Sequence, residues 1–171
     1  FTRQVEEPSQ EEKLKLNLPI LAEISNKVSS KVRCQYEESP YPRWVDLGLP
    51  ISRSNISEVV DLLKLEVDYG LLHKGNASDI LIAGCGTGQH SIETAVRFPN
   101  SKVLAIDLSL SSLAYAKRRT EELGVENIEY IQADILDLGK GLQRLKSGSG
   151  WFTFISNYYL PFIQTPANVV G

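Results

Sequence analysis

Apolar positions in this chain alternate between short unbroken runs and helical spacing. Residues 1–13 are polar, with Glu6, Glu7, Pro8, Glu11 and Glu12, and are expected to be a solvated lead-in. Ile20, Ile24, Val28 and Val32 then recur at helical spacing. They predict an amphipathic helix over 18–33, with Pro19 in its first turn and Asn17 as cap. Val59, Val60, Leu62, Leu63 and Val67 predict a second helix over 57–68. From Asp79 onward the pattern changes period repeatedly. Ile80, Leu81 and Ile82 suit a strand buried on both faces, and an amphipathic helix follows over 89–97. Lys102–Asp107 is a second apolar strand, 110–123 a helix burying Leu110, Leu113, Ala114 and Leu123, and 127–132 a third strand. Leu136, Leu138, Leu142 and Leu145 suggest one more short helix. Strands alternating with helices predict an α/β domain built on a parallel sheet.

The pattern then breaks. Ser147-Gly-Ser-Gly150 is flexible by composition, and residues 151–171 carry no charge. A strand over 151–155 is the one element expected there. The expected organisation is an N-terminal helical and aromatic-loop extension over 1–78, an α/β half-domain over 79–146 and a divergent uncharged tail over 147–171. With no Met anywhere, the chain is expected to be a piece of something longer, with a sheet too short to hold a second reactant by itself.

Between the first strand and its helix lies Gly84-Cys-Gly-Thr-Gly-Gln-His90. Glycines at 84, 86 and 88 allow unusual backbone angles or close approach to a ligand, and the following helix aims its positive end at the same place. The dinucleotide fingerprint G-x-G-x-x-G needs a third glycine where Gln89 stands, which argues against a nicotinamide-dependent oxidoreductase. Asp107 ends the second strand, 19 residues past Gly88, the distance at which an acid meets ribose hydroxyls. Ser109 is available to cap the next helix, leaving Asp107 for the ribose.

The G-x-G-x-G spacing resembles the first motif of the class I S-adenosylmethionine-dependent methyltransferases. Many of those enzymes carry an acid two positions before the first glycine, where Ile82 stands here. Together with Tyr41-Pro-Arg-Trp44 and Ala105-Ile-Asp-Leu-Ser-Leu110, the motif resembles, in order over roughly residues 35–138, bacterial methyltransferases often fused to tetratricopeptide repeats. That resemblance implies a Rossmann-like fold with a truncated parallel sheet and an N-terminal helical extension. It implies S-adenosyl-L-methionine as cofactor, methyl transfer to an unidentified acceptor, and tetratricopeptide repeats elsewhere in the parent chain. It places the cofactor on Gly84, Cys85, Gly86, Gly88, Gln89, His90, Asp107, Leu108, Ala133 and Asp134, with Asp134 accepting the adenine amino group. No catalytic residue is named, because in-line displacement depends on positioning more than on an acid or base. The alternative is a module that holds the cofactor or a related nucleoside without turning it over.

The stiff segment Gln35-Tyr-Glu-Glu-Ser-Pro-Tyr-Pro-Arg-Trp44 can hold rings in fixed places. Tyr41, Arg43 and Trp44 either line the substrate mouth or cap the core. Lys117, Arg118 and Arg119, near Glu121 and Glu122, read as a solvated face with pairs worth little.

Composition sets the outer limits. At 171 residues, with 42% hydrophobic and 23% charged side chains, one soluble globular domain is expected. A net charge of -3 gives no general attraction to nucleic acid. Cys34 and Cys85 are too few for a disulfide framework, so a reducing, cytoplasmic setting is expected, with Cys85 a small packed residue. No apolar run reaches the roughly 20 residues of a membrane helix, and no His or Cys cluster suggests a metal.

Overall fold

A computed structural model describes residues 6–49, 53–55, 58, 79–137 and the backbone of 154–156. Four parallel strands, β1 (Asp79–Ala83), β2 (Lys102–Asp107), β3 (Ile128–Gln132) and β4 (Phe154–Ser156), lie in the order β3-β2-β1-β4. Helix α3 (Gln89–Arg97) connects β1 to β2, and α4 (Leu110–Glu122) connects β2 to β3. β1, α3, β2, α4 and β3 each fall where the period changes in the sequence, within one residue at either end, whereas β4 overlaps the strand expected over 151–155 only at 154 and 155. The strands are laid down from β1 outward through β2 to β3, and β4 then lies on the other side of β1, so the strand order reverses at β1. In open α/β sheets the crevice at such a switch point, outside the carboxyl ends of the strands, is where ligands bind.

The sheet is held by burial on both faces. Ile80, Ile82, Val103, Ala105, Leu113, Ala116, Ile128 and Tyr130 form one cluster, and Leu81, Ala83, Leu104, Ile106 and Ala133 form another. Parallel strands with helices or chain on either side lose water from alternate residues in both directions, hence the unbroken apolar runs of β1 and β2. β3 alternates instead, with Glu129 exposed, as befits the strand next to the edge.

The N-terminal region differs from the expectation twice. The polar stretch expected to be a solvated lead-in is helix α1 (Glu7–Asn17), with Pro8 in its first turn. The single helix expected over 18–33 does not form. Leu18 is extended at ψ 132, because a residue preceding proline is driven from the helical region, and helix resumes only as α2 (Lys27–Glu38). Asn26, not Asn17, is the cap, accepting from Val28 N at 2.8 Å and Ser29 N at 3.1 Å. Of the apolar positions taken as one stripe only Ile24 is buried, and it lies between the helices. Residues 19–21 instead add to the sheet beyond β3. Gln132 N donates to Pro19 O and Leu21 N to Gln132 O, both at 2.9 Å, so backbone groups at an otherwise open edge are paired.

What docks α1 is charge rather than an apolar stripe. Arg118 of α4 is 3% exposed and bonded to Glu7, Glu11 and Glu122. The expectation of a solvated basic face holds for Lys117, which pairs with Glu121 at its surface. It fails for Arg118, because acids about 107 residues away in sequence turn that side of the helix inward. Of the helix expected over 57–68 only Glu58 lies within the described residues, and the leucines at 138, 142 and 145 lie outside them. Within them no helix is long and apolar enough to cross a membrane.

Candidate functional site

The turn after β1 is built by its glycines. Gly84, Gly86 and Gly88 have φ of 70°, 54° and 84°, a region L side chains rarely enter. Gly88 is also a packing residue: a Cβ there would lie 2.5 Å from the Cβ of Ala116 on α4. The close approach that a dinucleotide fold obtains from its third glycine is thus met one position earlier. At Gly86 a Cβ would meet nothing within 4 Å among the described residues, so that glycine borders open space.

Hydrogen bonds tie this turn to the end of β2. Gly84 N and Cys85 N both donate to Ile106 O, at 2.9 and 3.0 Å. Gly86 N donates to Asp107 Oδ2 at 2.8 Å, and Ser109 N to Asp107 Oδ1 at 2.9 Å. Ser109 caps α4, as expected, accepting from Ser112 N at 3.1 Å. Burial is the main influence on Asp107 and pushes its pKa up, against the backbone donors that favour the carboxylate. Each of its oxygens keeps lone-pair capacity for a further donor.

The end of β3 closes the group. Ala133 N donates to Asp107 O at 3.0 Å, so the residues after β3 sit directly beside those after β2. Asp134 is 4% exposed. Its Oδ1 accepts from Leu136 N at 2.9 Å, whereas its buried Oδ2 has no hydrogen-bond partner among the described residues. A buried carboxylate oxygen left open costs free energy, of order 1 to 3 kcal/mol or more for a charged group, and asks for a donor.

The other predicted residues fall around this line. α3 begins with no side-chain cap on its first N–H groups. Gln89 is exposed and reaches Glu93, and His90 is half-buried. Burial is the main cause of a lowered His90 pKa, with Glu93 opposing and Arg97 adding to it. Burial and then the charge of Asp107 hold the Cys85 thiol well above its ordinary pKa, so it stays neutral, as a packed residue would. Leu108 O accepts from Gln132 Nε2 at 2.7 Å. Ile82 is 1% exposed within the sheet. Among the described residues no group of side chains is placed to hold a metal ion.

Tyr41, Arg43 and Trp44 part company. Tyr41 is 74% exposed, Arg43 bonds Glu11 at 2.7 Å, and Trp44 is buried against Ile92 and Tyr115. Two residues that sequence reasoning missed also belong here. Thr87, 2% exposed inside the glycine turn, bonds the segment carrying Trp44. Glu37 of α2 accepts from Ser109 Oγ at 2.9 Å and Ser111 N at 2.7 Å at the start of α4. Thr87 is signalled only by standing between two glycines; nothing local signals Glu37.

Residues 80–158 match the family model of a methyltransferase domain. Among curated proteins the chain is similar to the tRNA (guanine-N(7)-)-methyltransferase of Rubrobacter xylanophilus, 43% identical over 54 residues, which are 32% of this chain and 24% of that protein. It is also similar to the release factor glutamine methyltransferase of Chlorobaculum tepidum, 31% identical over 97 residues, 56% of this chain and 33% of that protein. Among solved structures, PKMT2 from Rickettsia typhi in complex with AdoHcy is 28% identical, with 47% of this chain and 14% of that chain covered, at a TM-score of 0.39. This chain spans about a third or less of the length of these proteins. Residues 80–158 thus match a methyltransferase domain, and the sheet is of the Rossmann-like kind that the resemblance of the glycine motif to class I methyltransferases led us to expect.

Proposed function

We propose that the carboxyl edge of this sheet binds S-adenosylmethionine, and that the chain is the cofactor-holding part of a methyltransferase whose acceptor is unassigned. The observation that carries this reading is the buried Asp134 Oδ2 beside the end of β2, without a partner among the described residues, an acceptor in want of the donor that an adenine amino group supplies. Asp107, already oriented by two backbone N–H groups, offers its remaining lone pairs to ribose hydroxyls. The uncapped start of α3 and the open space at Gly86 favour a carboxylate at the glycine turn. When bound, the cofactor supplies an electrophilic methyl group on a sulfonium centre. The protein's part is to hold it in one orientation, and no residue of this chain is assigned as acid or base.

The finer reading is that this is the bacterial kind of methyltransferase often joined to tetratricopeptide repeats, acting in the cytoplasm. It is supported by the Tyr41-Pro-Arg-Trp44 segment ahead of the domain and by two unpaired cysteines, Cys34 exposed and Cys85 buried. Of the three aromatic-loop residues, Tyr41 has its ring free to meet an acceptor.

Calorimetry tests the reading: S-adenosylhomocysteine should bind more tightly than NAD. In Asp107→Ala the affinity should fall roughly tenfold to a hundredfold, the equivalent of losing charge-assisted bonds of about 1.5 to 3 kcal/mol. Binding of NAD with S-adenosylhomocysteine ignored would overturn it.

A further inference from the structure

The glycine turn is held from two sides. On one, Gly86 N–H is bonded to Asp107. On the other, the segment between α2 and the domain grips Thr87 with a reciprocal pair of hydrogen bonds. Trp44 Nε1 donates to Thr87 O at 3.0 Å, and Thr87 Oγ1 donates to Pro42 O at 2.6 Å. Both residues are buried, Trp44 at 8% and Thr87 at 2% exposure.

This grip acts on the backbone that faces the cofactor. Gly88 N donates to Cys85 O at 3.0 Å, so residues 85–88 form a hydrogen-bonded turn with Thr87 at its third position. A peptide unit is planar, so holding Thr87 O also sets the direction of Gly88 N–H, and the side-chain bond to Pro42 fixes the same residue at a second point. Three positive-φ glycines would otherwise leave this turn with many accessible conformations.

The gripping segment is itself anchored to α4, the helix that starts just after Asp107. Tyr115 Oη donates to Trp44 O, and Arg119 donates to Val45 O at 2.6 Å. The Arg119 guanidinium lies 4.8 Å from the Trp44 ring centroid, and the Trp44 and Tyr115 rings meet edge to face at 5.9 Å. The segment thereby links the turn after β1 to the helix after β2, the two places that the cofactor would bridge.

The geometry points to Pro42–Trp44 as a clasp on the glycine turn, with Trp44 and Thr87 as positioning residues that set cofactor affinity by pre-ordering the turn. This rests on the reading of the site as an S-adenosylmethionine site, and moves Trp44 from the substrate mouth to the cofactor loop. Pre-ordering raises affinity because the cost of fixing the turn is met before the ligand arrives.

The test uses the full chain, S-adenosylhomocysteine as probe, and two readouts: the dissociation constant by calorimetry and amide hydrogen exchange across 84–88 without ligand. Trp44→Phe keeps a ring and loses the donor; Thr87→Val keeps the shape and loses the hydroxyl; Thr87→Ser restores the hydroxyl. Trp44→Phe and Thr87→Val should each bind about three- to tenfold more weakly, the size of one lost hydrogen bond, with faster exchange in the turn, and Thr87→Ser should stay near the parent in both. A purely structural role predicts a lower melting temperature with parental affinity and turn exchange in the folded protein, and that result would overturn the clasp. So would equal losses in Thr87→Val and Thr87→Ser. If the parent itself ignores the probe, the cofactor reading fails, and the exchange measurement alone still decides whether the segment orders the turn.

Discussion

Two regions of this molecule bury carboxylates, and they treat them in opposite ways. On the flank where α1 lies against α4, the buried Glu11 and Arg118 are both matched. Glu11 bonds both Arg43 and Arg118, Arg118 also holds Glu7 and Glu122, and the two guanidiniums lie 5.2 and 5.1 Å from the Tyr115 ring centroid. At the carboxyl edge of the sheet, Asp134 keeps one buried oxygen without a partner among the described residues, and a Cβ at Gly86 would meet none of them within 4 Å. Burial of a carboxylate therefore does not itself mark a ligand site, since a structural network satisfies its members from within. What sets Asp134 apart is a partnerless carboxylate oxygen at the ends of the strands; the other buried atoms without a partner among the described residues are Ser91 Oγ, Ser112 Oγ and Arg119 Nε, all on helices.

The contrast is broken most forcefully at Arg118. Arg118→Ala removes the cation from Glu7, Glu11 and Glu122 and leaves Glu11 buried with only Arg43. Breaking a buried pair in this way costs about 3 to 5 kcal/mol, so thermal or urea denaturation should show a large loss of stability. Cofactor affinity in the fraction that remains folded should change far less. A surface-like loss of under about 1 kcal/mol would mean that the flank is no tighter than an exposed pair.

At Asp134 the expected order is reversed. Asp134→Asn keeps an oxygen for Leu136 N and removes the unpaired charge, so the unliganded protein should be as stable as the parent or more so. Cofactor affinity should nevertheless fall roughly tenfold, because the new amide presents a donor to a donor. Calorimetry and melting on the same preparation check both halves. A loss of stability with parental affinity would place Asp134 on the structural side of the comparison.

Glu37 sharpens the comparison with the smallest effect. It joins α2 and α4, has a quarter of its side chain exposed, and approaches Lys15 at 3.8 Å. Burial works to raise its pKa, yet the bonds from Ser111 and Ser109 and the charge of Lys15 together outweigh it, and the pKa is lowered. A carboxylate with a lowered folded pKa contributes stability that is present above its unfolded value and disappears as the pH falls through the folded one. The stability difference between the parent and Glu37→Gln should therefore be full at neutral pH and shrink below roughly pH 4.3, the ordinary glutamate value. A difference that grows on acidification would reverse the sign and remove Glu37 from the bonded group.

Sequence alone determined the elements whose signal lies in adjacent residues. The apolar runs of β1 and β2, the glycine turn, α3, α4 with its Ser109 cap, and β3 are each specified by contiguous residues whose period and turn chemistry agree, and the parallel order follows from their alternation. Asp107 was singled out because it ends a strand and Asp134 because the family resemblance pointed to it, and both lie at the carboxyl edge of the sheet. Tertiary structure decided the rest. α1 has no apolar face to advertise it and is held by Arg118, so its helix depends on a partner about 107 residues away that no local window contains. Residues 19–21 look helical by spacing, but Pro19 and an open sheet edge compete for them and win. Trp44 is an aromatic in a loop until Thr87 arrives 43 positions later to accept its hydrogen bond. Local periodicity reports which face of an element is apolar; which polar side chains are paired, and which are left open for a ligand, is set only when distant elements meet.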